Sequence, residues 1–249
     1  MSSHQCLNCH QDLSSNYCAN CGQKSSTHRY SLVHFFEHDF VHGIWHVDKG
    51  ILFTLKELFT RPGHSIREYV LGKRANYFNF FTLIVLTIGL SSILAHYSGV
   101  KISDLMPEST KEMMNSMEEF MSKYPKAVLL MLIPVYSIFS FLWFRKAGYN
   151  YSEHLVLNAY RAAGELIIGL SFNLIAIFYK DAAGLLFIYY FIFTVINTSY
   201  SIWFYYQFFS ESGYSKLSLF LRSLMVPFSY ILISLLIGFV LGIIKSITS

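Results

Sequence analysis

The chain has 249 residues and a formal net charge of +4, yet only 14% of its residues are charged while 18% are aromatic, with 23 Phe and 18 Tyr. A soluble globular chain carries about 25% charged residues, so a surface this poor in charge and a mean hydropathy of +0.40 indicate an integral membrane protein. The same figures exclude a disordered chain, a disulfide-rich secreted scaffold and a soluble nucleic-acid binder, and no nucleic-acid partner is expected.

The first 28 residues hold Cys6-Leu-Asn-Cys9 and Cys18-Ala-Asn-Cys21-Gly22 among polar neighbours. Each CxxC turn directs two sulfurs at one ion, and four thiolates suit tetrahedral zinc; Gly22 fits the tight turn of a zinc knuckle. A pair of redox dithiols would need a thioredoxin-like strand and helix, which so short a polar segment cannot supply. Residues 1–28 are therefore read as a zinc ribbon in which Cys6, Cys9, Cys18 and Cys21 bind a structural zinc, and the metal supplies much of the folding free energy. No apolar stretch of about 7–15 residues opens the chain, so the N-terminus is expected in the cytosol.

Residues 29–76 read as cytosolic or interfacial amphipathic helices. His34, His38, His42 and His46 recur every four residues, which sets them along one helical face, while Leu32, Val33, Phe36, Phe40, Ile44 and Val47 take the other. Imidazoles at i and i+4 can chelate an ion, with Asp48 completing a second metal site; the competing readings are a solvated polar face and a pH sensor. His34-Phe-Phe-Glu37-His38 also fits an H-x-x-E-H peptidase pattern, a match too short to carry weight. Farther on, Arg61-Pro62-Gly63 signals a turn, Ser65-x-x-Glu68 a capping box that starts a short helix, and Gly72 its end. Arg61, Arg67, Lys73 and Arg74 then crowd the mouth of the first span, where anionic lipid headgroups or a phosphate are their expected contacts.

From residue 77 to 249 the pattern is that of an all-α, polytopic membrane helix bundle. Five apolar segments approach the length that crosses a bilayer, near 78–97, 127–144, 155–179, 185–209 and 224–244. Pro134 predicts a kink in the second, and Pro227 lies near the start of the last. Segments placed on the cytosolic side carry 13 Lys and Arg against 9 Asp and Glu, the opposite segments 6 against 6, which puts the N-terminus inside and the C-terminus outside. Glu153, His154, Asn158, Arg161 and Glu165 enter the third span from the cytosolic side; Arg161 and Glu165 stand at ion-pair spacing. Thr194, Asn197, Thr198 and Ser201 form a polar stripe on the fourth span, suited to helix–helix hydrogen bonds. The external loop carries Met113, Met117 and Met121 at four-residue spacing, read as an adaptable packing surface.

These motifs resemble the bacterial integral-membrane family catalogued as domain of unknown function 3667. The resemblance rests on Cys18-Ala-Asn-Cys21-Gly22-Gln23, His42-x-x-x-His46-x-Asp48-Lys49-Gly50, Thr54, Arg61-Pro62-Gly63, Arg67-Glu68-Tyr69-Val70-x-Gly72-Lys73-Arg74, Tyr77 and Glu153-His154-Leu155. Asn79-Phe80 departs from relatives that tend to have a proline there. What the resemblance implies is a zinc ribbon on a multi-span bundle of the bacterial inner membrane, and no activity. Two classes of function follow. One is an assembly or interaction protein whose ribbon binds a cytosolic protein and whose bundle, among membrane lipids, holds an envelope component. The other is a metal-dependent enzyme acting on a lipid or other amphiphile, with His38, His42, His46, Asp48, Glu153 and His154 as its site. A transporter, resting on Arg161, Glu165 and Asn197, is a third.

Overall fold

A computed structural model describes residues 5–32, 50–98 and 123–248, together with 111, 115, 119 and 120. The histidine-rich segment from His34 to Asp48 and Met113, Met117 and Met121 lie outside the described residues. What is described is helical, with no strand beyond two isolated bridges in the ribbon.

Among the described residues, two short helices lie just before the long ones. α1 spans Ile51–Thr60 and α2 Pro62–Val70. Pro62 occupies the first turn of α2, where its missing N–H is harmless, so the helix, with Arg61 at its N-cap, opens four residues before the start expected with Ser65 as the cap. The capping box does not form there: the Ser65 hydroxyl donates to the Pro62 carbonyl and Glu68 is turned toward Arg61. Gly72 does end the helix, at φ +115°, a conformation that L side chains rarely adopt.

α3 spans Phe80–Ser98. Asn79, at the departure from the family pattern, caps it: its Oδ1 accepts from the amides of Phe81 and Thr82, as an N-cap asparagine should. α4 covers Pro125–Phe144 and continues through Pro134. A 3₁₀ turn at Arg145–Ala147 and Gly148 at φ +82° reverse the chain into α5, Tyr151–Phe178. Here a capping box is present: Asn150 Oδ1 accepts from the Glu153 amide and the Glu153 carboxylate accepts from the Asn150 amide. α6 runs over Ala182–Phe208 with a π segment at Ile188–Phe193, and α7 over Lys216–Thr248. Because α7 begins at Lys216, Pro227 lies in the helix interior rather than near its start.

Among the described residues, four helices are long and apolar enough to cross a membrane: Phe80–Ser98, Tyr151–Phe178, Ala182–Phe208 and the Lys216–Ser234 part of α7. α4, with 20 residues, has the length for it.

α5 is the axis of the bundle. Three hydrogen bonds tie it to the α3 segment, Tyr160 to the Phe78 carbonyl, Asn173 to Ser91 and Lys180 to the Ser98 carbonyl, all at a constant separation of 82 residues. A constant difference means the two helices run parallel and in register. α6 is antiparallel to α5: Tyr205 reaches Asn158, while Ser201, nearer the start of α6, reaches Glu165, farther along α5. α7 lies on α4 through Trp143, which donates to Ser229, and through stacked Tyr136 and Tyr230.

α5 is about 42 Å long at 1.5 Å per residue, more than the roughly 30 Å of a hydrocarbon core. Its first half, Ser152 to Gly164, is enclosed by protein almost throughout, while its second half is largely half-buried or exposed. The enclosure comes from α1 and α2 wedging in at one end of the bundle: Tyr200 donates to the Leu58 carbonyl, and Gly63 abuts the backbone of Phe204 and Phe208. Fully buried Tyr160, Tyr205, Phe144, Phe204, Phe208 and Phe209 fill the centre.

Candidate metal centre and buried polar sites

The ribbon is built from two copies of one turn. Cys6 donates its amide to the Gln11 carbonyl and Cys18 to that of Gln23; Gln5 bridges Asp12 and Tyr17 bridges Lys24. His10 and Gly22 follow the second cysteine of each pair with φ +61° and +74°. Glycine takes that conformation without strain, so His10 holds the same turn at a cost. This internal repeat, twelve residues apart, is written in the sequence as Cys-x-Asn-Cys-x-Gln at 6–11 and again at 18–23.

The two turns bring four sulfurs together. Cys6 and Cys21 are 3.6 Å apart, Cys9 and Cys18 3.5 Å, and all four lie within 4.8 Å of one another. Sulfurs at about 2.3 Å from a tetrahedral ion stand about 3.8 Å from each other. The set could therefore hold one metal ion with little movement. Burial pushes the Cys6 thiol up to about 11, whereas the Gln11 amide and the Asn20 side chain hold Cys9 down to about 6.

The ribbon is seated on the bundle. Gln23 is 5% exposed and both polar atoms of its side chain are engaged: Nε2 donates to the Gly72 carbonyl, and Oε1 accepts from the amides of Arg74 and Ala75. Leu7, between the first two cysteines, covers Gly72, where a Cβ would meet its Cδ1 at 2.7 Å. The Arg74 guanidinium lies 3.9 Å over the Tyr30 ring and donates to the His28 carbonyl. Arg29 forks onto Glu153 at 2.5 and 2.8 Å and also donates to the Gly148 carbonyl. A cleft of about 450 Å³ remains along this seam, lined by Leu7, His28, Arg29, Leu71, Tyr149 and Glu153 among others.

Each basic residue expected at the mouth is engaged within the chain. Arg61 bonds Glu57 and Glu68, Lys73 stands 3.6 Å from Glu68, and Arg67 bonds the carbonyls of Gln207 and Phe208, Ser210 and Glu211. Thus Arg67 and Glu211 lock α2 to the end of α6.

A second polar group lies inside the bundle. Asn158, Arg161 and Glu165 form one stripe of α5, as their spacing predicts. Arg161 pairs with Glu165; its Nη1 also donates to Ser201, which donates to Glu165 at 2.6 Å. Its Nε reaches Asn158 Oδ1, which also accepts from Tyr205, and its guanidinium lies 3.8 Å over Tyr136. One turn back, His154 is 1% exposed, its Nδ1 2.9 Å from Ser140 and its ring packed on Phe141 and Phe209; Nε2 has no partner among the described residues. Asn197 Oδ1 is likewise buried without one, whereas Ser201 is the member of the α6 polar stripe that bonds across helices. Ser137, Ser140, Tyr136 and Tyr205 belong to this network without having been read from the sequence. The two serines offered a signal, three residues apart in an apolar helix; the tyrosines offered none among 18.

Of the six residues considered for catalysis, Glu153 and His154 are adjacent but divergent in use, one at the ribbon seam and one in the aromatic core. His38, His42, His46 and Asp48 lie outside the described residues.

Residues 48–91 match the profile of a family described as "Protein of unknown function (DUF3667)". The match spans α1, α2 and most of α3 and supports the family that the motifs resemble. No similar curated protein and no similar solved structure was found.

Proposed function

Starting from that family of unknown function, we propose that the chain is a multi-pass protein of the bacterial inner membrane that works by interaction, binding a cytosolic protein through a zinc-holding ribbon. Five spans would place the ribbon and the N-terminus in the cytosol and the C-terminus outside, which the excess of Lys and Arg on the ribbon side supports. The observation that carries the reading is the closed sulfur set. Four thiolates leave no open position on the ion, so the metal shapes a surface and performs no chemistry. On that surface Tyr17 is 59% exposed between exposed Asn16 and Ala19, and tyrosine is a residue that protein interfaces favour.

A metal-dependent enzyme at the same face would need Glu153 and His154 for a second ion beside the histidine segment. Glu153 instead holds Arg29 and the first turn of α5, and His154 is enclosed by rings. The interaction reading asks nothing of either.

Metal analysis and cross-linking test it together. The full chain should hold about one zinc, lost when Cys6, Cys9, Cys18 and Cys21 become Ser. A photo-reactive phenylalanine analogue at Tyr17 should cross-link one defined cytosolic protein in cells, and the cross-link should vanish in a Cys18→Ser background. A tight ion that survives removal of all four cysteines and is lost on His42→Ala would favour the enzyme instead.

A further inference from the structure

We infer that Gln23 is a metal-linked latch: with the ion in place it clamps the 72–75 turn and, through Arg74, Tyr30 and Arg29, fixes the first turn of α5. The inference rests on the metal reading of the four cysteines and goes beyond it, from what the ribbon holds to what the ribbon controls.

Gln23 is part of the second knuckle. Its carbonyl accepts from the Cys18 amide and it follows Gly22, whose positive φ closes the turn on Cys21. The position of its backbone is therefore set by the two sulfurs that an ion would draw together. Its side chain satisfies three backbone groups of a turn outside the ribbon, the Gly72 carbonyl and the Arg74 and Ala75 amides. These groups sit just past the end of α2, where the helix itself supplies them no partner. Leu7 places the first knuckle on the same turn.

From there the contacts run without a gap to α5. Arg74, whose amide Gln23 holds, lies over Tyr30 and donates to the His28 carbonyl. Between those two residues Arg29 donates to both oxygens of Glu153, and the Tyr30 carbonyl accepts from the Asn150 side chain. Asn150 and Glu153 are the two halves of the α5 capping box. α5 in turn carries Asn158, Arg161 and Glu165 about two to four turns beyond Asn150. Two described segments thus meet at one cap, and the ribbon's fold decides whether both are held.

Amide hydrogen exchange on the zinc-loaded full chain in detergent, with and without a chelator, tests the latch, with zinc measured on the same samples. Chelation should raise exchange in residues 72–75 and 150–154 about tenfold or more, while residues 84–95 of α3 stay protected. Gln23→Ala should keep its zinc and show the same loosening. The latch is overturned if zinc leaves and exchange rises in residues 5–25 alone, if the whole bundle opens together, or if Gln23→Ala keeps the protection of the parent. A chain that holds no zinc before chelation would overturn the metal reading and the latch with it; zinc retained without coupling overturns the latch alone.

Discussion

Gly63 lies against the backbone of Phe204 so closely that a Cβ there would be 2.2 Å from the Phe204 carbonyl oxygen and 2.3 Å from the Phe208 nitrogen. The three residues of Arg61-Pro62-Gly63 have separate tasks at this crossing of α2 and α6. Arg61 draws Glu57 and Glu68 to one point, Pro62 starts α2 without wasting an amide, and Gly63 lets the two helices touch while its amide donates to Gln207. A run that reads as a turn signal is a joint between helices.

Gly63→Ala should therefore separate α2 from α6, since the clash is with backbone and no side chain can swing aside. Overpacking of this kind costs about 1–3 kcal/mol, and a backbone clash belongs at the upper end. Gly89→Ala, with open space around its Cβ, is the comparison and should be neutral or gain up to about 1 kcal/mol. Thermal midpoints of the two variants in one detergent decide it: equal midpoints would mean that the crossing is looser than described.

Acid should weaken the same joint. Burial by itself raises the Glu68 carboxyl, but hydrogen bonds and charge from Arg61, with Lys73, more than offset it and hold the group below the ordinary carboxylate value. A carboxylate whose folded pKa is depressed contributes stability that is complete above its unfolded value, about 4.3, and is lost as pH falls below that toward the folded pKa. Glu68→Gln should lower stability at pH 7 and flatten the part of the acid limb below about pH 5 that belongs to this residue. Melting curves from pH 7 down to about pH 3 for parent and variant are the measurement, and an unchanged acid slope would remove Glu68 from the account.

Much of this was legible in the sequence because the signals were local. Apolar length marked the long helices, cysteine spacing marked the four sulfurs that could hold a metal ion, and the i, i+4 step from Arg161 to Glu165 marked their pair. What could not be read was non-local. Nothing in Gln23 shows that its amide serves a turn about fifty residues on, and nothing in Arg29 shows Glu153 as its partner, because each depends on where the ribbon comes to rest. The capping box at Ser65 was misplaced for a related reason: Pro62 and the Arg61–Glu68 pair open α2 earlier and use the same glutamate differently. Asn150 and Glu153 do form a capping box, and Arg29 donates to the same carboxylate without displacing it from the cap.

The pair inside the bundle should behave as a unit. Arg161 is 3% exposed and Glu165 24%, so Arg161→Met leaves a carboxylate at membrane depth with only Ser201 beside it. Removing one partner of a buried pair costs about 3–5 kcal/mol. Arg161→Met with Glu165→Gln should cost less than the two single changes added together, by about 0.5–3 kcal/mol. A double-mutant cycle on thermal or denaturant stability measures this, and additivity within about 0.5 kcal/mol would show two independent residues.

The register of the bundle predicts its topology. α3 and α5 run parallel, so the far end of α3 at Ser98 and the far end of α5 near Lys180 lie together, as the bond from Lys180 to the Ser98 carbonyl records. The turns at Arg145–Ala147 and around Ser212 lie at the other end, with the ribbon, because Arg29 donates to Gly148 and Arg67 to Ser210. α7 starts from that end and packs along α4, which directs the C-terminus away from the ribbon. With the ribbon cytosolic, a cysteine at Asp181 should react with an impermeant thiol reagent from outside intact cells, and one at Ser212 should react after the membrane is opened. A reporter active only outside, fused after Ser249, should be active. Labelling of both cysteines from one side would break the link between parallel register and alternating spans.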